Sequence, residues 1–193
     1  TLMVSSRREE SSIASMAFSD DGFLYDAMRR IGRYPNGVAC VHCENSEIAE
    51  RLGDQLQRAG RQDLSAWTEA RPGWCEGEAI HRAGYIAYHA ECPLYVVHIS
   101  SKEGVEAVEE LRSRGMPVHA EACIHHLTTT VDEGQRSLGS LVKVNPPLRS
   151  QADIDALWDA IRRGVIDTVG TDHVPHSSSK RKPSLWDVMP GFS

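Results

Sequence analysis

Pro93-Leu94-Tyr95-Val96-Val97-His98-Ile99 is followed by Ser100-Ser101-Lys102-Glu103, by Gly115, and then by Pro117-Val118-His119-Ala120-Glu121-Ala122. The first run is almost continuously apolar over six residues, which predicts a strand buried on both faces. Ser100-x-x-Glu103 has capping-box spacing and predicts a helix start. Val105, Val108 and Leu111 give that helix one apolar face, and Gly115 is placed to end it as a left-handed cap. Pro117 to Ala122 then predicts a second strand. Strand, helix and strand within 30 residues make a βαβ unit, whose two strands are parallel.

The same alternation extends outward in both directions. Upstream, Val38-Ala39-Cys40-Val41 predicts a strand ending at His42, a helix follows from about Glu47 to Ala59, and another runs from about Glu76 to Ala90. Downstream, Cys123 to Arg149 carries turn residues and no clear period, a length that favours a functional loop over a plain connection. Ile154, Leu157, Trp158 and Ile161 at i, i+3, i+4, i+7 predict a helix closed by Gly164, and Val165 to Gly170 a last buried strand before Thr171-Asp172-His173. The fold class is α/β. Ser177 to Pro183 reads as a solvated polar loop.

Composition bounds the function. The 193 residues fit one domain or part of a larger one. A net charge of -6, with no basic stretch interleaved with aromatics, argues against a nucleic-acid partner. No apolar run approaches the roughly 20 residues of a membrane helix. Five cysteines without tight spacing argue against a secreted disulfide framework and make the cytoplasm the expected location. G-x-G-x-x-G, the P-loop pattern and G-x-S-x-G are all missing, which removes the usual nucleotide-binding and serine-hydrolase signals.

The informative regularity is positional. His42, His98 and Asp172 each follow a predicted strand at its C-terminal end, the end at which parallel α/β folds and β/α barrels bind ligands. Imidazole and carboxylate suit zinc and similar divalent ions. Other pairings are weaker. Cys40-x-x-Cys43 would point to opposite faces of a strand. His42-Cys43-Glu44 and His119-Ala120-Glu121 match the H-x-E half of zinc deaminases without the P-C-x-x-C half. His125 and His126, adjacent in sequence, diverge if that segment is extended.

Five motifs in order resemble the cyclic amidohydrolases, the group of dihydropyrimidinase or hydantoinase, dihydroorotase and allantoinase. They are Val41-His42-Cys43-Glu44-Asn45, Ala70-Arg71-Pro72 with Glu76 and Glu78, Val97-His98-Ile99-Ser100, Lys143-Val144-Asn145-Pro146-Pro147-Leu148-Arg149, and Gly170-Thr171-Asp172-His173-Val174-Pro175-His176. The resemblance implies a TIM-barrel-like (β/α)8 metal-dependent hydrolase, of which residues 1–193 cover about the second half, from strand four to strand eight.

It also implies two divalent metals, usually zinc, bridged by a hydroxide and a carboxylated lysine. His42 and His98 match the histidines on one metal; Asp172 matches the aspartate that binds the other and shuttles the proton. Asn145 and His176 match substrate contacts. The implied substrate is a small cyclic amide or ureide, and the implied assembly a homo-oligomer. The family's N-terminal H-x-H pair and bridging lysine are missing, the first lysine here being Lys102. Thr1-Leu2-Met3-Val4-Ser5 aligns directly after such a lysine, so both are expected outside this chain. Asp20-Asp21-Gly22 and the Ala70 and His42 motifs favour a dihydropyrimidinase or hydantoinase; the Asn145 motif, His125-His126-Leu127 and His176 favour a dihydroorotase. A family member without catalysis, acting as an interaction protein, is the third expectation.

Overall fold

The computed structural model describes residues 2–3, 20–174 and 184–191. The Ser177 to Pro183 loop, Ser5 and His176 therefore lie outside the described residues. Five parallel strands lie in one sheet in sequence order: β1 (Leu2–Met3), β2 (Ala39–His42), β3 (Leu94–Ile99), β4 (Val118–Cys123) and β5 (Thr168–Gly170). In register, Val41 lies beside Val96 and Val96 beside Ala120. Strand order equal to chain order, all parallel, is the progression of a β/α barrel wall, and the connecting helices provide its outer layer.

Those helices are α1 (Asp21–Ile31), α2 (Ser46–Arg58), α3 (Leu64–Glu69), α4 (Gly73–His89), α5 (Lys102–Ser113) and α8 (Gln151–Arg162), with two short ones, α6 (Ile124–Thr128) and α7 (Val131–Ser137), after β4. Ala79, Ile80, Ala83 and Ala87 of α4 and Val105, Val108 and Leu111 of α5 pack with Leu94, Val96, Val118 and Ala120 of the strands in one core. This is the burial that the apolar periodicities anticipate, and truncating a leucine or isoleucine among them to alanine costs about 2–5 kcal/mol. Gly115 has φ +77°, as its predicted capping position requires.

Three expectations need correction. The cap of α5 is Ser101, whose hydroxyl accepts from the Gly104 amide; Ser100 instead donates to the Glu76 carboxylate at 3.1 Å. A tertiary contact from α4 takes the hydroxyl that a local motif had claimed. The last strand is shorter than expected and is not buried, with Val169 52% exposed, because β5 is the edge of the sheet among the described residues. The segment from Cys123 to Arg149 holds α6, α7 and a 3-10 helix (Gly139–Val142), elements too short to display a period.

This segment has its own small core, in which Val142, Val144 and Leu148 meet Leu64 and Trp67 of α3 and Leu185. Lys143 is buried within it. Its Nζ donates to the carbonyls of Leu185 at 2.8 Å and Val188 at 2.6 Å and lies 3.8 Å from the centre of the Trp67 ring. Burial, followed by the charge of Arg71, pushes the Lys143 amine down to about 7.

Candidate metal centre at the strand ends

His42 is the last residue of β2 and His98 the penultimate residue of β3. The pairing of β3 with β4 shifts register between Val96 and Ile99, and within that irregularity His98 has φ 42°. A bulge of this kind turns a side chain out of the strand's alternation. The left-handed conformation is uncommon for a residue with a Cβ and collects at functional sites. Asp172, just past β5, has φ 44°. Two of the four non-glycine residues with positive φ among the described residues are thus residues that sequence position had singled out.

The two imidazoles meet. His42 Nδ1 lies 3.1 Å from His98 Nε2, with ring centres 4.8 Å apart and planes at 71°. On its other side His42 Nε2 lies 3.0 Å from Glu44 Oε2, and a carboxylate only accepts, so Nε2 carries the proton and Nδ1 offers its lone pair to the site. Asn45 follows directly, its side chain capping α2 at the Ile48 amide and donating to Glu78. Glu44 is held by this geometry at the foot of α2. Burial works to raise its carboxyl, but the hydrogen bond from His42 and the charges of Arg71 and Arg149 prevail and hold it below its ordinary value.

His98 is buried, and burial together with the nearby His42 and His126 keeps it well below the usual histidine range. It is therefore neutral at pH 7, the state in which imidazole binds a metal. Its Nδ1 is buried without a hydrogen-bond partner, an arrangement that costs about 1–3 kcal/mol. Two imidazole nitrogens on one tetrahedral ion, each bonded at about 2.0–2.1 Å, stand about 3.3 Å apart. The 3.1 Å separation of His42 Nδ1 and His98 Nε2 fits that edge. Glu44 supplies the orienting carboxylate that metal-bound histidines ordinarily have.

Asp172 is exposed on the same rim; partial burial raises its carboxyl, His42 opposes that shift, and Glu121 adds to it. Glu121 on β4 accepts from the Tyr95 hydroxyl at 2.8 Å and, at 3.4 Å, from the His98 amide. Gly170 permits this closeness: a Cβ there would stand 2.9 Å from the Glu121 carboxyl. Asn145 is anchored to α3, its Oδ1 accepting from Trp67 Nε1 at 3.1 Å.

His125 and His126 do not diverge. They sit in α6 with ring centres 4.2 Å apart, and together with Cys123 they form a group able to hold a metal ion. The extended conformation assumed for them fails because α6 starts immediately after Cys123. Glu44 and Glu121 are the site residues that sequence reasoning passed over. Both lay in H-x-E pairs weighed as halves of the deaminase pattern, and neither was assigned a role, although i, i+2 spacing on a strand already puts two side chains on one face.

No family model matches the chain. It is 40% identical over 166 residues to an allantoinase of Solibacter usitatus, covering 86% of this chain and 36% of that protein. To an L-hydantoinase of Paenarthrobacter aurescens it is 36% identical over 168 residues, with 87% and 36% covered. Its backbone superposes on the L-hydantoinase structure from Arthrobacter aurescens with a TM-score of 0.86 at 33% identity, over 98% of this chain and 42% of that one.

The chain belongs to the cyclic amidohydrolases. The dihydropyrimidinase of Brevibacillus agri NCHU1002 gives a TM-score of 0.86 at 28% identity, covering 99% of this chain and 41% of that one. The chain spans just over a third of the length of the curated relatives it matches. Its five strands are part of a (β/α)8 barrel wall, and His42 and His98 stand together at the C-terminal rim of that wall. No helix among the described residues is long and apolar enough to cross a membrane.

Proposed function

We propose that the protein carrying this chain is a metal-dependent hydrolase that opens the ring of a cyclic amide, with a hydantoin-type five-membered ureide as its substrate class. The observation that carries the reading is the facing pair of imidazole nitrogens, 3.1 Å apart, at the strand ends. Relatives named allantoinase and L-hydantoinase support the ring class, since allantoin and hydantoin share the five-membered ureide. In this reading residues 1–193 supply strands four to eight, and the H-x-H pair and carboxylated lysine come from outside the chain.

His42 and His98 would hold one divalent ion, with Glu44 keeping the His42 lone pair on Nδ1, and Asp172 would be a ligand to the second. Bound metal of this kind lowers the pKa of water toward neutrality and polarises a carbonyl. Asp172 would accept the proton of the attacking water and return it to the ring nitrogen as the C–N bond breaks. Asn145, steadied by Trp67, and His176 contact the ring. The Asn145 motif, with His125-His126-Leu127 and His176, favours dihydroorotate as the second candidate. Assaying the complete protein, with and without chelator, on hydantoin, allantoin, dihydrouracil and dihydroorotate tests this. Chelator-sensitive hydrolysis of the hydantoin-type rings is expected. Activity indifferent to chelator, or confined to dihydroorotate, contradicts it.

A further inference from the structure

The end of β4 carries a donor set that this chemistry does not use. Cys123 is the last residue of β4, and His125 and His126 follow in the first turn of α6. All three are buried, and one ligand atom from each lies within 4.8 Å of the others. His126 is the informative member. Its Nε2 lies 2.9 Å from the Pro146 carbonyl oxygen, which only accepts, so the ring proton is on Nε2. In the neutral ring the lone pair is then on Nδ1, and Nδ1 is buried without a hydrogen-bond partner. One nitrogen donating to a backbone carbonyl while the other keeps a free lone pair inside the protein is how metal-bound histidines are ordinarily held.

We propose that Cys123, His125 and His126 form a further metal site, distinct in its ligands from His42, His98 and Asp172, that takes a thiophilic ion of the Zn2+ type. A thiolate with two imidazoles selects such ions over Mg2+ or Ca2+, which require oxygen donors. On binding, the Cys123 S–H bond breaks, the sulfur–metal bond forms and the proton leaves to solvent. The ligand atoms draw inward from their present spacing to the roughly 3.3–3.7 Å edges set by bonds of about 2.3 Å to sulfur and 2.0–2.1 Å to nitrogen. Through the His126–Pro146 hydrogen bond the ion would tie the end of β4 to the segment bearing Asn145.

Sulfur makes the test specific. The complete protein is stripped with chelator and titrated with Co2+, which accepts the same nitrogen and sulfur donors as Zn2+. A near-ultraviolet thiolate-to-cobalt band should grow and saturate. It should survive His98→Ala and Cys40→Ser, vanish in Cys123→Ser, and need at least about tenfold more Co2+ in His126→Ala. X-ray absorption at the cobalt edge of the wild type, which depends on no variant folding, should show a sulfur neighbour. A wild type with neither band nor sulfur neighbour, or a band that persists in Cys123→Ser, overturns the proposal.

Discussion

The strand ends of β2 and β3 and the end of β5 carry equivalent positions of one barrel rim, yet they are built differently. His42 and His98 are enclosed: each is about 6% exposed, the strands carrying them are flanked on both sides, and Glu44 fixes one ring. Asp172 follows an edge strand with Val169 52% exposed, and it is itself exposed. The His42–His98 pair is preorganised by the core; Asp172 stands past the last strand among the described residues. Ligand position follows from where a strand ends, whereas ligand rigidity follows from what covers the strand.

The largest effect that sharpens this contrast is chemical. Asp172→Asn in the complete protein should lower kcat by about 10²–10⁴ while metal content, measured by elemental analysis, stays largely intact, because an amide coordinates through oxygen but cannot take a proton. Near wild-type kcat would remove Asp172 from proton transfer. Stability should divide along the same line. Leu94→Ala, at a fully buried position of β3, should cost about 2–5 kcal/mol by denaturant unfolding, and Val169→Ala in β5 less than half as much. Equal costs would dissolve the contrast.

Much of this was legible from strand ends and helix periods, for a definite reason. Val105, Val108 and Leu111 repeat because they meet a sheet, and Leu94, Val96 and Ile99 are apolar because they lie in the core, whereas Tyr95 and Val97, expected to be buried as well, are only half-buried. What escaped was set by other causes. In α1, buried Leu24 and Met28 share the helix with exposed Phe23 and Tyr25, so its period is blurred. At six residues α3 is too short to show one. Trp158 falls on the predicted apolar face yet is 41% exposed, because its indole reaches out to donate to the Leu127 carbonyl. Of the candidate site, what position made readable was that His42 and His98 close neighbouring strands and that Asp172 follows β5. The Glu44 contact and the His125–His126 pairing depend on side-chain and local helical geometry that spacing does not encode.

A smaller effect tests the enclosed half alone. Glu44→Gln should weaken metal binding about 10–100-fold, the usual cost of losing a carboxylate that orients a metal-bound histidine, with the unfolding midpoint little changed. Unaltered affinity would leave Glu44 a structural role only. The smallest effect comes from Lys143. Its folded pKa of about 7 lies below the ordinary value, so between about pH 7 and 10.5 the unfolded chain binds a proton that the folded chain does not, and stability rises with pH across that window. Wild type should gain about 1 kcal/mol relative to Lys143→Met from pH 7 to pH 8. A difference independent of pH would show that the three carbonyls around Nζ keep the amine charged in the fold.

The enclosed pair is tested most directly by locating the ion. Anomalous diffraction at the zinc edge, from crystals of the complete protein grown with Zn2+, should show a peak about 2.0–2.1 Å from both His42 Nδ1 and His98 Nε2. A map with no peak there, and the two nitrogens still sharing a direct hydrogen bond, would contradict the assignment of this rim as a metal centre.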